Sequence, residues 1–253
     1  MNLDKAALSI FSFLVVKFIL MFVLPYFVFW VWFPIKFKRF KIQTVERQKP
    51  QTKLELAYTS ITFLIQTLAF LLIYIGVEKN IFPMYEGFGS HGYVTELIAF
   101  LGYVFIYDAY FYWTHRLMHQ GWLYKKVHVI HHRSLNPTPF TSFSFHPIET
   151  LINLFYFFPI VYFFPMSFEL FLFLVVLTDI SNLGGHLGYE LLPRRSRTAW
   201  WGSWLTTPTH HNMHHQFSKS NFGLYWNGWD EYFKTMHPKT DEEFLRIKDQ
   251  KSV

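Results

Sequence analysis

Eleven of the thirteen histidines in this sequence fall between His115 and His215, and most of them stand at helix-compatible spacings. His115 and His119 form an H-x3-H pair. His128, His131 and His132 form an H-x2-H-H box, and His211, His214 and His215 repeat that box some eighty residues later. Residues i and i+4 share a face of a helix, so His115 and His119 can reach one metal ion. Each H-x2-H-H box offers i, i+3 and i+4, and the expectation is that its three ring nitrogens point one way. His210 precedes the last box at i, i+4 to His214, while His146 and His186 stand alone between the boxes.

Imidazoles packed together without a cation would leave buried donors and acceptors competing for partners. Metal binding is the chemistry that relieves this. The three boxes supply eight histidines and His186 a ninth, too many for one ion and suited to two. Imidazole favours iron, copper, zinc or nickel over magnesium or calcium. The chain has no cysteine, so thiolate sites, iron–sulfur clusters and disulfides are excluded. Soluble di-iron bundles use Glu plus Glu-x-x-His, but acidic residues are scarce near these boxes, so that architecture is not expected.

The elements that position these side chains are set by a membrane-like composition. Of 253 residues, 51% are hydrophobic, 22% aromatic and only 16% charged, with 31 phenylalanines. The length suits a single unit, residues 1–253, with no repeat or linker. A spanning helix needs about 20 apolar residues. Ala6–Phe33, Leu56–Val77 and Tyr93–Trp113 qualify, the first interrupted but not broken by Lys17 and Pro25. The first run is too long for a signal peptide and is read as retained. Ile148–Leu177 is too long for one upright helix and contains Pro159 and Pro165, which predicts a hairpin. From about Thr240 a charged tail is expected to be loose or shortly helical.

Lys and Arg set the orientation. Lys36, Lys38, Arg39, Lys41, Arg47, Lys49 and Lys53 crowd the loop after the first span, whereas Lys79 is alone between spans two and three. The basic loop, the segment after Trp113 and the tail are therefore expected on the cytoplasmic side of a bacterial inner membrane or the endoplasmic reticulum, with every clustered histidine on that face. The net charge of +6 suits an anionic lipid surface better than nucleic acid.

The order H-x3-H, H-x2-H-H, a lone His, then H-x2-H-H resembles the fatty acid hydroxylase/sterol desaturase superfamily. Asp108, Tyr112-Trp113, Phe145-His-Pro-Ile-Glu149, Asn182-Leu-Gly-Gly-His186, Asn221-Phe-Gly and Trp229-Asp-Glu-Tyr-Phe-Lys-Thr235 extend the likeness over about residues 98–237. The short first box is more similar to the sterol desaturase and hydroxylase branch than to acyl-CoA desaturases, which usually carry H-x4-H. The resemblance implies an all-α integral membrane helical bundle with a cytosolic helical cap, a non-haem di-iron centre, and a lipid substrate such as a sterol, fatty acyl or alkyl lipid. Carried over by position, the ligands are His115, His119, His128, His131, His132, His186, His211, His214 and His215. Some members have a second histidine four residues after the lone one. Here that position is Glu190, so Glu190, His146 and His210 stay open.

This reading makes the chain an oxidoreductase that hydroxylates or desaturates a lipid, with two iron ions (Fe2+/Fe3+), O2 as co-substrate and electrons from a separate donor. No nucleotide-binding fingerprint or haem module is visible. A ferredoxin- or cytochrome-type partner would meet Lys125, Lys126, Arg194, Arg195 and Arg197, and anionic headgroups compete for the same surface. Residues 154–164 offer aromatic side chains either to a substrate tunnel or to lipid. A membrane zinc hydrolase is the alternative, but H-E-x-x-H is absent. A metal transporter would place ligands in mid-span, whereas these boxes lie at span ends.

Overall fold

The structure, a computed structural model, describes residues 3–43 and 49–250. Among the described residues the architecture is carried by the helical segments α1 (Asp4–Trp32), α2 (Lys49–Glu78), α3 (Tyr93–Met118), α4 (residues 121–132), α5 (Pro147–Phe163), α6 (Phe168–His186), α7 (Pro208–Phe217), α8 (Gly228–Tyr232) and α9 (Thr240–Lys248). The chain is an all-α integral membrane bundle. Four helices, α1, the Gln51–Glu78 part of α2, α3 and α6, are long and apolar enough to cross a membrane.

The spanning helices expose apolar side chains and bury polar ones together with apolar ones. On α2, Leu64, Leu68 and Leu72 form an exposed i, i+4 stripe, while Thr59, Thr62, Gln66, Phe70 and Ile73 are buried. A water-soluble helix would reverse that pattern. Leu14, Phe70, Tyr103, Tyr107, Phe157, Val161 and Leu174 fill the space between the helices. Pro25 has no N–H to donate one turn back, and π-helical turns at Ile19–Val23 and Phe27–Trp32 flank it. The helix therefore continues past the proline.

The fourth apolar stretch divides into α5 and α6. Within α5 the helix steps at Tyr156, where Pro159 cannot donate to Phe155, and it ends before Pro165. The α5–α6 turn pairs with the α2–α3 loop through two short parallel strands, β1 (Met84–Tyr85) and β2 (Met166–Ser167). These two connections therefore share one end of the bundle. The other end carries the histidines and the first loop: Gln43 Nε2 donates to Asn212 Oδ1 and to Leu135 O, both at 2.7 Å, and Ile42 N donates to Gly188 O at 3.0 Å. The part of the basic loop around Arg47 lies outside the described residues.

The tail is not loose. Helix α9 buries Phe244 and Ile247, and Lys248 Nζ donates to Glu190 O at 2.6 Å. The aromatic run 154–164 divides between the packed core and the outer face of the bundle. Leu154, Tyr156, Phe157, Ile160 and Val161 are buried, whereas Phe155, Tyr162 and Phe163 face outward.

Candidate metal centre

All nine histidines carried over by position converge at one end of the bundle, in two groups. His115, His119, His128, His132 and His214 form a group of five; His131, His186, His211 and His215 form a group of four. Within each group one ligating atom per residue lies within 4.8 Å of all the others.

The boxes do not point one way, which corrects the simplest reading of their spacing. In the second box, His128 and His132 join the group of five and His131 the group of four. In the third box the pattern is exchanged: His211 and His215 join the group of four, His214 the group of five. Helix geometry accounts for this. At about 100° per residue, i and i+4 are roughly 40° apart, whereas i+3 and i+4 are about 100° apart. Each H-x2-H-H box therefore gives an i, i+4 pair to one site and its middle histidine to the other. His115 and His119, on the end of α3, supply a third i, i+4 pair.

Ring orientation is fixed from behind. His115 Nδ1 donates to Phe222 O at 3.0 Å, His186 Nδ1 to Asn182 O at 2.7 Å and His214 Nδ1 to Ser220 O at 2.6 Å. A carbonyl only accepts, so each of these rings carries its proton on Nδ1, and in the neutral ring Nε2 is a bare lone pair. His128 Nδ1 lies 2.7 Å from Glu149 Oε1. The Nε2 atoms then approach one another. His214 Nε2 is 3.0 Å from His132 Nε2 and 3.1 Å from His119 Nε2, and His186 Nε2 is 3.0 Å from His211 Nε2 and 3.1 Å from His131 Nε2. Two nitrogens each about 2.1 Å from one metal ion, at a right angle, are about 3.0 Å apart. His128 Nε2 is buried without a hydrogen-bond partner, a costly state that a cation would relieve. Burial, reinforced by the neighbouring imidazoles, holds His128, His131, His132, His211, His214 and His215 well below the ordinary histidine value of 6.5, and lowers His119 to about 2. Neutral, oriented, converging imidazoles are the form that binds a metal, so the residues present fit two ions.

The three open residues fall outside both groups. Glu190 accepts from Thr209 N at 3.0 Å, Thr209 Oγ1 at 2.8 Å and Leu192 N at 3.1 Å, which places its carboxylate on the N-terminal turn of α7. It supports the helix of the third box instead of replacing a ligand. His210 Nε2 lies 3.2 Å from Asp230 Oδ2. His146 caps α5, its Nδ1 accepting from Ile148 N at 3.2 Å.

Carboxylates that spacing alone gave no role hold the second layer. Asp230 accepts from Phe222 N and Gly223 N, both at 2.8 Å, and so fixes the loop whose carbonyls orient His115 and His214. Asp108 accepts from Tyr225 N at 2.9 Å and Trp226 N at 3.3 Å. The signal for these residues, and for Glu149, was their presence in the motifs flanking the boxes. Gly185 has a different task. A Cβ there would stand 3.0–3.2 Å from the His211 side chain, so glycine lets α6 and α7 close on each other.

Two cavities meet at the histidines. A small one, about 70 Å³, is walled by His115, His128, His131, His186 and His211 and reaches into the bundle as far as Gln66, Thr178 and Asp179. A larger cleft, about 490 Å³, runs between α3, α6 and the 205–208 and 223–226 segments; it is mainly apolar and also touches His186 and His211. Of the five basic residues expected on this end, Lys125, Lys126, Arg194 and Arg195 are exposed and Arg197 is half-buried. Arg194 pairs with Asp249, and Arg197 with Asp241.

Comparison with known proteins agrees with this architecture. The fatty acid hydroxylase family model matches residues 100–235, more than half of the chain, and the chain belongs to that family. It is similar to a Delta(7)-sterol 5(6)-desaturase of Gibberella zeae (28% identical, covering 81% of this chain and 64% of the relative). It is also similar to the lathosterol oxidase of Mus musculus (31% identical, 68% and 56%) and to a very-long-chain aldehyde decarbonylase of Oryza sativa (28% identical, 56% and 24%). The chain thus spans 64% and 56% of the length of these two sterol-modifying relatives. No solved structure matches it.

Proposed function

We propose that the nine histidines hold two iron ions and that the chain uses O2 to hydroxylate or desaturate a membrane lipid. The observation that carries this reading is the convergence of nine imidazoles into two groups, one of which borders an apolar cleft through His186 and His211. When bound, the di-iron centre supplies O2 activation and removal of hydrogen from an unactivated C–H bond. The chain supplies the rest. His115, His119, His128, His132 and His214 hold one ion, and His131, His186, His211 and His215 the other. Glu149, Asp230 and the Ser220 and Phe222 carbonyls keep the rings turned inward. Leu177, Ile180, Leu205 and Leu224, lining the cleft, exclude water and receive the lipid chain.

The relatives named as sterol desaturase and lathosterol oxidase support a sterol-like lipid. The excess of Lys and Arg at the histidine end supports a cytoplasmic orientation. Electrons come from a separate acidic carrier, which Lys125, Lys126 and Arg195 would meet. The test is comparative lipid mass spectrometry of cells with and without the gene. A product heavier by one oxygen atom indicates hydroxylation, and one lighter by two hydrogen atoms indicates desaturation. His131→Ala should abolish either change; a change that persists in this variant would overturn the reading.

A further inference from the structure

A lysine, an aspartate and a glutamine meet in the middle of the bundle. Lys17 on α1 lies 2.7 Å from Asp179 Oδ2 on α6 and donates to Gln66 Oε1 on α2 at 3.2 Å. All three side chains are more than nine-tenths buried. Ionisable groups are costly at membrane depth and mark sites where something polar is handled. A purely structural tie between α1 and α6 would not need to open onto a cavity. Here Asp179 and Gln66 form the wall of the small cavity opposite His186 and His211.

Both residues keep unused hydrogen-bonding capacity. The Lys17 ammonium has three N–H donors and serves both Gln66 Oε1 and, in a close ion pair, Asp179 Oδ2, which leaves the other acceptor positions of the carboxylate open. An ionised carboxylate accepts about four hydrogen bonds. Because the Gln66 oxygen is taken by Lys17, its amide N–H groups remain, and among the described residues they donate to none. The cavity wall thus presents an acceptor and a donor side by side, the complement of an alcohol. Asp179 precedes His186 by seven residues on one helix, about 10 Å along the axis.

We propose that Asp179 and Gln66, held in place by Lys17, anchor a hydroxyl group of the lipid substrate. The anchor would fix which carbon reaches the histidines. The inference rests on the lipid-oxidation reading for the nature of the ligand. An alcohol donates to the carboxylate and accepts from the amide together, whereas a methyl ether cannot donate and leaves the carboxylate's remaining acceptor positions unmet in a dry site.

The experiment is equilibrium binding to the full chain in lipid nanodiscs, using two probe pairs: lathosterol with its methyl ether, and hexadecanol with its methyl ether. The expected result is that the alcohol binds about tenfold tighter than the ether in at least one pair. In Lys17→Met/Asp179→Leu, where the ion pair is replaced by apolar groups of similar size, that ratio should fall to about one while iron content is unchanged. Gln66→Leu should lower the ratio without touching the charges, and it decides the matter if the double variant fails to fold. No alcohol preference in either pair, or a preference that survives these changes in folded protein, overturns the anchor. Iron content and lipid oxidation are read separately. Alcohol-selective binding without oxidation would sink the functional reading and spare the anchor; oxidation without alcohol preference would do the reverse.

Discussion

His131 and His132 are neighbours in sequence, yet they belong to different histidine groups: His132 Nε2 lies 3.0 Å from His214 Nε2, whereas His131 Nε2 lies 3.1 Å from His186 Nε2. One helix turn thus serves both sites. His131→Ala should remove a member of the group of four and His132→Ala one of the group of five. Each variant should therefore retain close to one iron per chain, by elemental analysis. Equal loss of both ions in both variants would mean that the two groups act as a single site.

Glu149 holds His128 Nδ1 at 2.7 Å from within the protein. Outer partners of metal-bound histidines are worth about 10–100-fold in metal affinity. Glu149→Ala should weaken iron binding by about that factor, while Glu149→Gln, which retains an acceptor, should cost less. Competition with a chelator of known affinity measures the difference.

Two adjacent glycines on α6 should respond in opposite ways. A methyl group at Gly185 meets the His211 ring at 3.0 Å, whereas at Gly184 nothing lies within 4 Å. Gly185→Ala should lower iron content and activity together. Gly184→Leu projects into the large cleft and should raise KM for the lipid with iron content unchanged. Steady-state kinetics alongside metal analysis separates the two.

The buried imidazoles also set an acid limit. Burial holds His131, His132, His211, His214 and His215 far below 6.5 in the fold, so they stay neutral there while the unfolded chain takes up protons below about 6.5. Their contribution to stability is complete above that pH and is lost as pH falls below it. Metal-free protein should therefore show a falling Tm from about pH 6.5 downward, and iron-loaded protein should hold its Tm to lower pH. A Tm of metal-free protein that is flat across this range would contradict the burial of neutral rings.

Much of this was legible in the residues. The three continuous spans and the hairpin at Pro159 and Pro165 follow from apolar run length and proline chemistry, and the set of nine histidines follows from the resemblance of the boxes to the family. The division of each H-x2-H-H box was implicit in the same 100° rotation, but it needed two sites in space before i+3 could be told from i+4. Glu190 illustrates the harder case. Its sequence position suggested a ligand or a support for one, and only the fold brings it to the start of α7, where Thr209 claims it. The Lys17–Asp179 pair joins residues 162 positions apart, so nothing local in the sequence announces it.

Metal analysis of the protein purified from iron-supplemented cells bears most directly on the central claim. The account predicts two iron ions per chain, lost together with lipid oxidation on chelation and restored by ferrous iron. A single zinc ion per chain, with lipid turnover that needs neither O2 nor reductant, would contradict it.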